Sequence, residues 1–214
     1  MAHQDAVDVR RGTFILFAVL AAWGLTVAAL AAAGFYRSLY PPVIGPIIVM
    51  GVAAPVAAYA SLAGFRRYVA AIGLRPLTAF HVWRIPAALL FFWYGAHDLL
   101  PPAFVRDAGW GDLIAGLMAL GVTLLPESRG RYLAFHLFGL ADLVVALATG
   151  LTLTLLGDPR MGGIATLPVA LIPLFGVGFT GARHLLAFDL LRRGIGLRPA
   201  ARGAAILPTG PRVA

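Results

Sequence analysis

The chain has no cysteine, no lysine and no asparagine, and Glu127 is its one glutamate. Missing cysteine excludes disulfides, thiolate zinc sites, iron–sulfur clusters and cysteine nucleophiles. Serine is nearly as scarce: Ser38, Ser61 and Ser128 are all there is, and none sits in a nucleophile-elbow motif. Charge of either sign is short as well. Only 12% of residues are charged and 60% are hydrophobic, against about 25% charged in soluble domains. A mean hydropathy of +0.87 agrees, and a water-soluble globular domain is excluded.

What is present is arginine and long apolar runs. The net charge is +8, but the arginines flank apolar stretches, where they orient a chain and meet anionic headgroups. The expected partner is a lipid bilayer, not nucleic acid. Six stretches are long enough to cross a bilayer: 13–36, 42–64, 77–99, 110–126, 132–156 and 164–191. Backbone groups in lipid must bond to one another, so each reads as a helix. Pro42, Pro46, Pro55, Pro168 and Pro173 predict kinks rather than breaks. The first run is too long for a signal peptide's apolar core, so it reads as a retained helix.

Loop arginines set the orientation. With the N-terminus inside, twelve fall on the inner side, and Arg37, Arg106 and Arg160 on the outer. The excess follows the positive-inside rule. The expected architecture is all-α: a polytopic bundle of about six transmembrane helices over 1–197, with both termini cytoplasmic. Residues 198–214 form a basic tail expected to be disordered. A bacterial inner membrane is the expected location. One pentapeptide, Ile-Gly-Leu-Arg-Pro, occurs at 72–76 and again at 195–199. Helix-stopping glycine, headgroup arginine and helix-forbidding proline explain both copies without an internal duplication.

Three spans carry ionisable residues inside them: His81 and Arg84, then His136 and Asp142, then Arg183, His184 and Asp189. Such residues are costly in lipid and mark functional sites. Counting rise along each helix puts His81 about 6 Å, His184 about 12 Å and Asp142 about 15 Å from the inner surface. Alternate spans reverse direction, so these side chains share one half of the membrane. Arg84 and Asp142 are the expected ion pair, and Arg183 is expected to snorkel to the surface. Spans three, five and six should form the polar-lined bundle, with one, two and four facing mostly lipid. Gly139 beside this face permits close helix approach. Asp112 is expected at the start of span four, offsetting its helix dipole. Trp93, Tyr94 and Trp110 read as interfacial anchors.

Arg84, Asp142, His136, His184 and His81 are therefore the candidate lining of an inner-leaflet cavity. The leading expectation is a small-ligand or proton-handling protein, since histidine changes charge near neutral pH. The alternative is a membrane enzyme that depends on haem b or on a metal. His136 and His184 would then be the haem ligands, or the histidines would hold zinc with an open position. No His-x-x-x-His or His-Glu-x-x-His spacing accompanies them.

Leu100-Pro101-Pro102-Ala103-Phe104, Ala108 to Asp112, Gly139, Asp142 and Gly150, and the Leu167-Pro168, Ile172-Pro173 and His184 run together resemble a set of bacterial six-span integral membrane proteins with no assigned activity. The resemblance covers about half the chain. It implies the same membrane fold, draws attention to Asp112, Asp142 and His184, and supplies no reaction or cofactor.

Overall fold

The computed structural model describes residues 2–39 and 41–197, and every regular element among them is helical. The expected tail at 198–214 lies outside the described residues. In order these are α1 (Ala2–Ala32), α2 (Phe35–Ser38), α3 (Ile44–Ser61), α4 (Ala63–Ile72), α5 (Leu74–Ala79), α6 (Arg84–Ala96), α7 (Pro102–Phe104), α8 (Trp110–Leu124), α9 (Arg129–Leu155) and α10 (Gly178–Arg193). Among the described residues, four helical stretches are long and apolar enough to cross a membrane: Val9–Ala32, Pro41–Ser61, Arg129–Leu155 and Ile172–Arg193.

The two remaining apolar runs are composite helices. A 3-10 turn, Phe80–Trp83, joins α5 to α6, and a π-turn, Val105–Gly109, joins α7 to α8. Backbone bonding stays helical from 74 to 96 and from 102 to 124. Both irregular turns lie in segments that carry site residues, as such turns often do. Pro55 is carried inside α3, as expected of a kink. The last run behaves otherwise. A 3-10 helix, Pro159–Ala165, is followed by bend and turn over 166–170, and a π-turn at Ile172–Val177 leads into α10. Pro168 thus lies in a turn where a kink was expected, and Pro173 stands in the first turn of the helix that follows, where a missing donor costs nothing.

Helix packing also corrects the sequence reading. The α10 helix is the core of the bundle: within Ile172–Arg193, 72% of the most apolar window is buried. It packs along α3 and α9, and α8 packs against α6 and α9. Span four is therefore a wall of the centre, whereas span two packs on α10 along one side and keeps most of its surface outward, with 17% of its most apolar window buried. The α1 helix is peripheral, with Phe14, Phe17 and Leu25 turned outward.

Two apolar clusters bracket the middle of the bundle. Leu74, Leu77, Tyr132, Leu186 and Leu190 fill one end, and Phe91, Tyr94, Leu100, Phe104 and Ile172 fill the other. Along α5–α6, α9 and α10 the ionisable residues fall between these clusters, so the fold seals them from both sides.

Candidate functional site

Five of the five residues singled out from sequence converge. His81, His136 and His184 are completely buried, and Arg84 is 1% exposed. Arg84 donates from Nη2 to Asp142 Oδ2, from Nη1 to Gly139 O at 3.4 Å, and from Nε to Asp112 Oδ1 at 2.6 Å. The expected pair with Asp142 is present, but it is half of a triad.

Asp112 is the residue that sequence reasoning misplaced. It was expected as a helix-dipole cap near the outer surface; instead it is 7% exposed and bound to Arg84. Helical bonding already runs from Pro102 through the π-turn, so Asp112 does not stand at a free helix start, and its carboxylate faces Arg84. A signal was available in the run Gly109-Trp110-Gly111-Asp112. A side chain at Gly111 would collide with the Asp142 carboxylate, so glycine there is needed for the triad to close.

The three imidazoles come from the Phe80–Trp83 turn, α9 and α10. The His81 and His184 ring centres lie 4.2 Å apart, and those of His136 and His184 5.1 Å. His136 Nδ1 meets His184 Nδ1 at 2.9 Å, and His136 Nε2 meets Thr78 Oγ1 at 3.2 Å. One nitrogen of each ring lies within 4.8 Å of the other two. Both nitrogens of His81 and Nε2 of His184 have no hydrogen-bond partner. Phe135 closes the trio edge-on to His81, with ring centres 5.1 Å apart.

Gly139 joins the two groups. A Cβ there would lie 2.8 Å from His184 Nε2 and 3.4 Å from Arg84 Nη1. The small-residue approach expected at this position is thus what lets the imidazole pass beside the guanidinium.

Other expectations are corrected. Arg183 does not snorkel: it is 8% exposed, with its guanidinium 4.0 Å from the Phe80 ring centre and 4.1 Å from that of Phe179. Aromatic faces supply there the attraction that headgroups would supply at the surface. Tyr94 is core, not an anchor, and donates to Leu167 O at 3.2 Å. Trp93 and Trp110 are exposed. At the end that the sequence assigns to the outer face, Arg160 binds Asp158 and Asp98, and holds the Asp158 carboxyl below the usual carboxylate range.

Haem does not fit these residues. Axial ligands approach iron from opposite faces of a flat macrocycle, whereas His136 and His184 meet nitrogen to nitrogen, with Phe135 and Phe188 packed on them. A cavity of about 670 Å³ lies elsewhere, among Tyr36, Arg37, Tyr94 and Arg160, and none of the five candidate residues lines it. A space of about 70 Å³ is lined by Phe91, Phe104, Leu143 and Asp112 among others, and by none of the five candidate residues.

Fold and site together define an all-helical protein with several helices fit to cross a membrane and a sealed His/Arg/Asp centre. The chain belongs to the family described as a domain of unknown function, DUF8737, which matches residues 41–192 and so contains the whole centre. No curated protein and no solved structure matches the chain.

Proposed function

We propose that this is a six-span bacterial inner-membrane protein, with both termini cytoplasmic, whose buried centre binds a small ligand. The observation that carries the reading is Arg84, fully enclosed and held by carboxylates from two other helices beside three buried imidazoles. A pin that merely fixed helix register would need one carboxylate and no histidine. Six ionisable side chains gathered in an apolar bundle are a costly arrangement that binding accounts for. The exposed Phe14, Met50, Leu124 and Leu156 form a surface suited to lipid and unsuited to water.

Native mass spectrometry of the full chain released from detergent tests the binding. A retained mass beyond the polypeptide is expected, and Arg84→Ala or His184→Ala should lose it. A bare polypeptide mass in the folded wild type would end the reading.

One observation favours a second reading, in which the centre relays protons. Thr78, His136 and His184 form an unbroken series of contacts, and such a series can pass a hydrogen by exchanging tautomers. Proton flux into liposomes that is equal with wild type and Thr78→Val would remove it.

A further inference from the structure

We infer that His81, His136 and His184 form a site for one divalent transition-metal ion of the zinc class. This rests on the small-ligand reading and names the ligand.

Nitrogens without partners carry the argument. A buried donor or acceptor left unpaired costs about 1–3 kcal/mol, and three such atoms, His81 Nδ1, His81 Nε2 and His184 Nε2, sit together here. One ion would engage a lone pair from each ring. Bonds of about 2.0–2.1 Å in a tetrahedron put ligand nitrogens about 3.4 Å apart. His136 Nδ1 and His184 Nδ1 lie 2.9 Å apart, and one nitrogen of each ring lies within 4.8 Å of the other two, so an ion held through these atoms and an unpartnered His81 nitrogen needs the Nδ1 pair to open by about 0.5 Å.

The surroundings fit as well. Histidine ligands usually have their second nitrogen held by a neighbour. If His136 binds through Nδ1, Thr78 Oγ1 holds Nε2 at 3.2 Å. Imidazole alone suits zinc and its neighbours; calcium and magnesium need the oxygen ligands that this trio lacks. Three protein ligands leave a fourth position for water. The full charges around the trio balance: Asp112 and Asp142 offset Arg84 and Arg183, and Arg183 lies against the faces of Phe80 and Phe179.

The test is titration of the chelator-stripped full chain in detergent with zinc(II) and, separately, with cobalt(II). One equivalent of each should bind, and cobalt should show the strong visible absorption of a four-coordinate site. His81→Ala should abolish both at unchanged helical content, and His81→Asn, closer in shape, should do the same. A folded wild type without stoichiometric uptake, or uptake unchanged in both His81 variants, would overturn the proposal. The two readings fail separately. Native mass spectra that retain a non-metal ligand, alongside blank titrations, would leave the small-ligand reading standing and end the metal site.

Discussion

Single side chains at the centre act through distance. Gly139 is the sharpest case, because a methyl group there would sit 2.5 Å from His184 Cε1. Gly139→Ala should displace the imidazole and destabilise the protein by about 1–3 kcal/mol, as overpacking does. Gly121→Ala is the control. It meets nothing within 4 Å and should be neutral, or stabilising by up to about 1 kcal/mol from helix propensity. Chemical denaturation of both variants in detergent checks the contrast; equal effects would count against the packing argument. Arg84→Ala leaves Asp112 and Asp142 buried together without a cation, and should cost about 3–5 kcal/mol. Thermal melting indistinguishable from wild type would mean that the triad is not buried in solution.

At the level of elements, the two copies of Ile-Gly-Leu-Arg-Pro meet each other. Leu74 N donates to Gly196 O at 3.0 Å, and a Cβ on Gly73 would lie 2.8 Å from the same oxygen. Gly73 has φ 77° and ψ −174°, a region open essentially to glycine alone, and other residues there cost about 1–3 kcal/mol. The contact ties the start of α5 to the chain leaving α10, and these elements carry His184 and lead into the His81 turn. Gly73→Ala should therefore lower the melting temperature, whereas Gly34→Ala, at φ 76° with nothing within 4 Å, should carry backbone strain alone and fall less. A larger fall for Gly34→Ala would break this account. Helix termination explained each copy from sequence; their mutual contact was invisible there, because nothing in a repeated motif says that its copies touch.

For the molecule as a whole, the absence of cysteine makes topology directly measurable. Single cysteines at Ser128 and at Asp98 should label from opposite sides of the membrane if both composite helices cross it. Labelling from one side would remove the six-span proposal. Composition and the length of apolar runs were enough for the all-helical class, since an apolar chain in lipid has few other ways to pair its backbone. The same cost argument picked out the histidines, Arg84 and Asp142, because a charge in an apolar run is visible one residue at a time. Direction was not visible. Whether Asp112 caps a helix or binds Arg84 depends on how α8 packs on α6, and whether Arg183 reaches the surface or packs against Phe80 and Phe179 depends on one ring distant in sequence and another a helix turn away. Those outcomes are set by how helices rotate against one another, a property of packing among distant residues that no local pattern encodes.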